Sequence, residues 1–221
     1  MIYIVIIFIA LIAISGYFSA KAAKKRREDM SRLASELQLN FDPSKDHSYD
    51  ERYPFIKKLC QGKNRYAFNI LQGTYRSHPI YAFDYHYKTT STDGKGKRKT
   101  HHHYFSFFIL HFEGDFPELV IYREGLFSKL TQFLGFDDID FESVEFSKRF
   151  VVKSSHKKFA YDICHSRMIE HLLRNEDLSI EIERDVLTLF FSRRLAPQQI
   201  QYNLDRLIEI RELFPQYLFD R

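Results

Sequence analysis

The sequence predicts an α+β protein: one N-terminal transmembrane helix, then a soluble domain with an antiparallel, aromatic-rich sheet and packed helices. Residues Ile2 to Ala20 carry no charged side chain. As a helix they can cross the apolar core of a bilayer, which is about 30 Å thick. Aromatic residues make up 16% of the chain, which favours a packed core with β-structure over disorder. After residue 40, segments with strand periodicity mix with segments of helical periodicity.

The uncharged run is predicted to remain in the membrane as an anchor. A cleaved signal peptide would carry basic residues before the apolar run, but here they follow it. Basic residues that flank a span stay in the cytoplasm. We therefore expect a single-pass protein of the inner (cytoplasmic) membrane, with the N-terminus outside and the C-terminal domain in the cytosol. The flanking residues are also candidates for contact with anionic lipid: Lys21, Lys24, Lys25, Arg26 and Arg27.

Charge and cysteine usage narrow the classes of partner. The formal net charge is +4, and the cluster after the anchor accounts for it, so the domain itself is near neutral. No specific nucleic-acid partner is therefore expected.

The two cysteines, Cys60 and Cys164, lie far apart without C-x-x-C spacing, and we expect reduced, buried thiols.

An amphipathic helix is predicted to connect the anchor to the domain. It falls within residues 21–40, the basic flank and helix, and its apolar residues have the spacing i, i+3, i+4, i+7: Met30, Leu33, Ala34 and Leu37. This spacing places one apolar stripe along a helix, which predicts that the helix docks on the domain. Residues 40–54 are predicted to form a loop.

Residues 41–135 are predicted to form a β-rich subdomain. The expected elements are four strands and a helix: Tyr66–Tyr75, Pro79–Thr89, Thr100–Phe112, Glu118–Arg123 and Leu126–Leu134. The second strand alternates aromatic residues with small or polar ones, which is typical of a half-buried strand. A polar loop containing Asp93-Gly94 predicts a hairpin between the second and third strands.

Residues 136–221 are predicted to form a second subdomain of α+β type, after a soft boundary at the acidic connector Phe136–Glu142. The expected elements are a strand, a helix and two more strands: Glu145–Lys153, Phe159–Arg174, Leu178–Glu183 and Val186–Phe191. A last helix opens at Pro197 and stops at Pro215.

Four stretches carry a resemblance to a known family: Leu33 to Phe41, Phe83 to Tyr87, Thr100 to Phe108, and Arg149 to Asp162. Over nearly its whole length the chain resembles a family of uncharacterised prokaryotic single-pass membrane proteins with an N-terminal anchor and a soluble α+β domain. The resemblance implies the topology described above. It implies no activity and no catalytic residue.

Histidines on the hairpin form the sharpest candidate site. His86, His101 and His103 could make a three-histidine metal site if the hairpin pairs His86 with His103. A register shifted by one residue instead places Phe83 against Phe107 and puts His86 on the opposite face. Aromatic burial favours this second register, so the metal site is the alternative.

The hairpin tip is basic, with Lys95, Lys97, Arg98 and Lys99 near two tyrosines. Such a tip can contact anionic lipid or single-stranded nucleic acid. It can equally be a solvated hairpin end that discourages edge pairing.

No common catalytic motif occurs in the sequence, so no cofactor is expected. The favoured function is a membrane-tethered cytosolic interaction module, with the lipid bilayer and a protein partner, or a second copy, as its partners. The alternatives are a metal-dependent enzyme that uses the strand histidines and a sensor that binds anionic lipid or nucleic acid through the hairpin tip.

Overall fold

One long helix carries the chain from the apolar N-terminus into the folded domain. In the computed structural model, which describes residues 2–125 and 138–220, α1 spans Ile2–Glu36. Residues Ile6–Glu36 form a helix that is long and apolar enough to cross a membrane. The rest of the protein buries none (0%) of the most apolar stretch of this helix. The chain therefore has one N-terminal helix suited to membrane anchoring.

The domain is built on an antiparallel sheet with helices, as the sequence predicts. The strands are β1 Asn40–Asp42, β2 Lys63–Tyr75, β3 His78–Thr92, β4 Arg98–Arg123, β5 Phe150–Ser154 and β6 Ile180–Phe190. The order is β1-β2-β3-β4-β5, and β6 pairs with β4. Within the described residues, the α-helices after α1 are α2 Tyr49–Arg52, α3 Val144–Arg149, α4 Lys157–Ile163, α5 Ser166–Arg174 and α6 Gln198–Glu212.

Strand β6 folds back on itself between the two halves of β4. The Phe190 amide donates to the Ser179 carbonyl at 3.0 Å, so the two ends of β6 are adjacent. One half pairs with β4 from Phe107 to His111 and the other pairs with β4 from Phe116 to Ile121. Both β5 and β6 lie after the predicted boundary at residue 135, yet they pair with β4 in the same sheet.

Both faces of the sheet are covered. On one face Phe108, Leu110 and Ile121 pack with the apolar residues of α1 and α3 to α6. On the other face Phe107, Ile109 and Val120 pack with the segment that contains Tyr49, Tyr53, Ile56 and Leu59. The alternation within β4 thus buries successive side chains on opposite sides. The prediction of a half-buried second strand is therefore wrong, because Asp84 and His86 on its supposedly solvated face are also buried.

The hairpin register follows the aromatic side chains. Phe83 lies opposite Phe107, Tyr85 opposite Phe105 and Tyr81 opposite Ile109, which confirms the register favoured by aromatic burial. The Phe83 and Phe107 rings stack with centroids 5.5 Å apart. Such pairs add about 0.5–1.5 kcal/mol beyond the area they bury, which fixes this register over its neighbour.

Three local predictions need correction. Residues 144–149 form a helix and not a strand, because the Ser143 side chain accepts from the Phe146 amide as an N-cap and Phe146 stacks on Phe150 one turn later. The helix predicted at Phe159–Arg174 is two helices, α4 and α5, that break at Cys164 and His165. The loop predicted at residues 40–54 contains β1 and α2. The helix predicted at Leu126–Leu134 lies outside the described residues.

Replacing Gly62 with alanine should cost more stability than the same change at Gly96. Both glycines have positive φ, +64° and +78°, where a Cβ costs about 1–2 kcal/mol. At Gly62 a Cβ would also clash with the Lys88 carbonyl oxygen, whereas at Gly96 no atom of the described residues lies within 4 Å of one. We expect an additional loss of about 1–3 kcal/mol for Gly62→Ala, measured by urea unfolding in detergent. Equal losses would contradict the close approach.

Candidate functional site

The exit of the anchor helix is fixed to the domain by a buried ion pair. The Arg26 guanidinium donates from Nε and a terminal nitrogen to the two Asp84 carboxylate oxygens, at 2.7 and 2.6 Å. Its other terminal nitrogen donates to the Leu195 carbonyl at 2.8 Å. The Asp84 side chain is 1% exposed and that of Arg26 is 13% exposed. Paired hydrogen bonds of this kind constrain both the distance and the orientation of the two groups.

The remaining donors to Asp84 come from the sheet, and the segment before α6 supports one of them. Asn69 donates to one Asp84 oxygen at 2.9 Å and the Ser106 hydroxyl donates to the other at 3.3 Å. The Ser106 oxygen in turn accepts from the Leu195 amide at 3.0 Å. Three segments distant in sequence thus meet at one carboxylate, which is the condition under which a buried charge is tolerated.

The amphipathic stripe of α1 continues this attachment toward the end of the helix. Met30 is 0% exposed and Ala34 is 2% exposed, and both belong with Leu33 to the larger apolar core. Leu37 packs against the same core while partly exposed. The prediction that this stretch docks on the domain is confirmed. Since α1 is one unbroken helix, the docked part and the apolar part share one axis.

The anchor and the β3–β4 hairpin point toward the same side of the domain. Arg26 lies on Asp84, whereas Leu39, just after α1, packs on Gly73, which pairs with Ile80. From Ile80 to Asp84, strand β3 runs toward its hairpin tip. Followed backwards, from its C-terminal end to Arg26, α1 therefore runs in the same direction as this part of β3. The hairpin tip consequently faces the side from which the anchor leaves the domain.

The described basic residues at the helix exit do not share one environment. Lys21, Lys24, Lys25 and Arg27 are exposed, and Lys24 lies 3.9 Å from Glu28. Arg26 is the member whose side chain turns inward. The candidate contact with anionic lipid is therefore geometrically open to the four exposed residues, whereas the Arg26 guanidinium is engaged by Asp84.

The hairpin tip presents its cations to solvent. Lys95, Lys97, Arg98 and Lys99 are all exposed. The turn is held by the Asp93 carboxylate, which accepts from the backbone amides of Lys95 and Lys97 at 3.0 and 2.9 Å. The tip is thus a formed turn, and its basic side chains extend from it.

The structure does not bring the three candidate metal-binding histidines together. His86 lies on one face of the hairpin, where its Nε2 is 3.0 Å from Nδ1 of His102. His101 and His103 lie on the other face, 2.9 Å from the Ser91 hydroxyl and 2.7 Å from the Thr89 hydroxyl. The register that stacks the aromatic residues is the cause, since a shift of one residue exchanges the two faces.

Acid should destabilise the protein partly through His86, which is 1% exposed. Burial lowers the pKa of His86, and His102, Lys88 and Lys45 add to this, although a hydrogen bond to the Asn64 carbonyl acts in the opposite sense. The unfolded chain therefore binds this proton more readily than the folded chain, so the contribution of His86 to the free energy of unfolding should fall as the pH drops below about 6.5.

Between pH 6.5 and 5, the slope of the free energy of unfolding against pH should be less positive for a His86→Gln variant than for the parent, measured by urea titration at each pH. Burial also lowers the pKa of His78 and His171, so part of the slope should remain. Identical slopes for the variant and the parent would contradict this role of His86.

Three glutamates form a cluster that the sequence analysis missed. Glu118, Glu181 and Glu183 offer carboxylate oxygens that lie within 4.8 Å of one another. Glu181 is 0% exposed, and its Oε1 accepts from the Lys57 amide at 3.0 Å. The alternation Ile180-Glu-Ile-Glu was the available signal, but it predicts a polar face in water. In the structure this face is instead covered by the segment that contains Tyr49, Tyr53, Ile56 and Leu59.

Burial raises the pKa of Glu181 to about 8, with Glu118 and Glu183 adding to the rise. Burial also raises the pKa of Glu118 and Glu183, and the Lys57 ammonium acts in the opposite sense on all three. The described part of the chain also contains two free cysteines, Cys60 and the buried Cys164.

The fold and the docked helix define the class: an α+β protein with one N-terminal apolar helix attached to an antiparallel sheet. A solved structure with this fold is the mycobacterial trehalose monomycolate transport factor A, TtfA, with a TM-score of 0.57 at 12% identity. The match covers 87% of this chain and 96% of that chain. At this identity the likeness shows the fold alone. Comparison with protein-family models gives no match, and comparison with curated proteins gives none.

Proposed function

We propose that this protein is a membrane-anchored accessory module without catalytic activity that binds a protein partner at the cytosolic face of the inner membrane. The observation that carries the proposal is the docking of α1. The helix is unbroken between its apolar part and Arg26, whose guanidinium is bound to Asp84. The bilayer and the domain are thereby held at a set height and angle, which suits a module that contacts a neighbour in the same membrane.

The likeness to TtfA supports the accessory role. That protein is described as a transport factor. The match covers 87% of this chain, so most of its fold is shared with that protein. We propose by analogy of fold that this chain assists a membrane transport process by binding one of its components.

The orientation is part of the proposal. Lys21, Lys24, Lys25 and Arg27 follow the apolar run and are exposed, so they favour retention of the domain in the cytosol. Protease added to intact spheroplasts should leave the domain uncut, and the same protease should degrade it after lysis. Degradation in intact spheroplasts would contradict the orientation.

The partner surface can be located with two exposed tyrosines at opposite ends of the domain. Tyr104 is 40% exposed and lies on the hairpin, on the anchor side. Tyr217 is 54% exposed, and its neighbours Gln216 and Leu218 line a cleft with Ser77 and His78, at the end away from the anchor. A photo-crosslinking amino acid at each position, in the full chain in cells, gives a matched pair.

We expect the crosslinker at Tyr104 to give one discrete adduct with an integral membrane protein, and the crosslinker at Tyr217 to give none. A discrete adduct only with a second copy of this chain would assign self-association. Absence of any discrete adduct at Tyr104 would contradict the proposal, and so would an equal adduct at both positions.

A second candidate, contact of the hairpin tip with anionic lipid, is favoured by the shared direction of the tip and the anchor. We propose that Lys95, Lys97, Arg98 and Lys99 rest on anionic headgroups, where each basic residue contributes about 1 kcal/mol. Amide exchange in residues 93–99 of the full chain should be slower in nanodiscs of anionic lipid than in zwitterionic ones. Replacing the four residues with glutamine should abolish the difference. Equal exchange in both nanodiscs would exclude the contact.

A further inference from the structure

We propose that Glu118, Glu181 and Glu183 form a binding site for a divalent cation that prefers oxygen ligands, with Ca²⁺ or Mn²⁺ as the class of ion. Glu181 and Glu183 are two residues apart on β6, so their side chains share one face of the sheet. The pairs Leu119–Ile182 and Val120–Glu181 bring Glu118 onto the same face on β4. The ligand oxygens of the three residues then lie within 4.8 Å of one another.

The second observation is an oxygen of Glu181 that has no hydrogen-bond donor among the described residues, 2–125 and 138–220. Glu181 is 0% exposed; its Oε1 accepts from the Lys57 amide, whereas its Oε2 is buried without a donor in the described part of the chain. Glu118 Oε1 and Glu183 Oε2 are likewise buried without partners. A buried carboxylate oxygen without a donor costs several kcal/mol, so three in one place call for a positive ligand.

The donor set points to a hard cation. All three groups are carboxylates, and sites made of oxygen ligands suit Ca²⁺, Mg²⁺ and Mn²⁺, whereas zinc and copper sites usually include imidazole or thiolate ligands. Calcium–oxygen distances of about 2.3–2.6 Å place opposite ligand oxygens about 4.6–5.2 Å apart. The oxygens of this cluster lie within 4.8 Å of one another, which is comparable. Mg²⁺ retains its water and needs a tighter octahedron, so it fits less well.

The site would join three segments of the domain. Glu118 lies on β4, Glu181 and Glu183 lie on β6, and the Lys57 amide belongs to the segment that covers this face of the sheet. A bound cation would therefore hold the covering segment against the inserted strand. Protons are the rival occupants of the carboxylates, since burial disfavours the charged form. A cation site and a set of protonated carboxylates can be distinguished by experiment, because only the cation site stabilises the protein when cation is added.

The test is the thermal unfolding of the full chain in detergent at pH 8, first treated with a chelator and then titrated with CaCl₂, MnCl₂ or MgCl₂. At about 100 times the dissociation constant, Ca²⁺ or Mn²⁺ should raise Tm by about 5–10 °C. Calorimetric titration should give about one ion per chain. The Glu181→Gln variant should lose both responses. Glu113→Gln, the same change at an exposed position of β4, should keep them.

No rise in Tm and no binding of any of the three ions by the unmodified chain would overturn the proposal. A Glu181→Gln variant that is more stable than a parent indifferent to cations would assign protonated glutamates and would also overturn it. Should Glu181→Gln fail to fold, Glu183→Gln takes its place. A response that Glu113→Gln abolishes as well would place the ion elsewhere and reject this site.

Discussion

Replacement of Arg26 with alanine should destabilise the protein by about 3–5 kcal/mol, because it leaves the Asp84 carboxylate buried without its cation. The carboxylate is 1% exposed, so water does not replace the lost charge. The Asn69 amide and the Ser106 hydroxyl remain as donors, but both are neutral. Urea unfolding of the full chain in mild detergent, followed by circular dichroism, measures the loss.

Two further variants isolate the cause. Arg27→Ala removes a neighbouring exposed cation and should change the free energy of unfolding by less than about 0.5 kcal/mol. Arg26→Lys keeps the charge but loses the paired geometry and the bond to the Leu195 carbonyl, so its loss should fall between the other two. A loss for Arg26→Ala no larger than that for Arg27→Ala would show that the ion pair contributes nothing.

The same variant bears on function. With the ion pair broken, the docked part of α1 is held only by its apolar stripe, and the domain gains freedom relative to the anchor. The crosslink expected from Tyr104 should then become weaker at unchanged protein level. An unchanged crosslink in Arg26→Ala would separate partner binding from the rigid attachment of the anchor.

Truncation of Phe107 to alanine should have an effect of similar size, about 3–5 kcal/mol. The side chain is 0% exposed, and its ring lies between those of Phe83 and Phe190, with centroids 5.5 and 5.8 Å away. Those rings come from three different strands, so the cavity left by the truncation cannot close by moving one of them. The loss combines the transfer free energy of the ring with the cost of the cavity.

Tyr202→Ala serves as the comparison for this prediction. Tyr202 is 58% exposed and contacts the Arg206 guanidinium, so its truncation should cost less than about 1 kcal/mol in the same urea experiment. Comparable losses for the two variants would mean that the sheet layer around Phe107 repacks. The register of the hairpin would then rest on something other than the aromatic stack.

The elements that the sequence predicted best are those with a strong repeating pattern. The apolar spacing from Met30 to Leu37 predicted a docked helix, and the aromatic alternation in β3 predicted the register against Phe107. In both cases the same side chains carry the pattern and the packing, so local and long-range preferences agree. The antiparallel aromatic-rich sheet follows from these patterns.

The features that the sequence did not predict depend on contacts between distant segments. Asp84 alternates with tyrosines and phenylalanines, so its face was expected to meet water, and only the arrival of α1 makes it a buried partner of Arg26. Residues 144–149 have the composition of a strand, but the Ser143 cap and the Phe146–Phe150 stack make them helical. The alternation around the glutamates of β6 did not predict their cluster, because alternation alone does not say which face is covered.

The insertion of β6 between the halves of β4 has a consequence for synthesis at the ribosome. The central part of the sheet can form only after Phe190 has left the exit tunnel, long after β4 itself has emerged. Translation adds about 5–20 residues per second, so the nascent chain spends seconds with open strand edges. Pairing between segments this far apart in sequence makes folding slow, so these edges stay exposed to aggregation until β6 arrives.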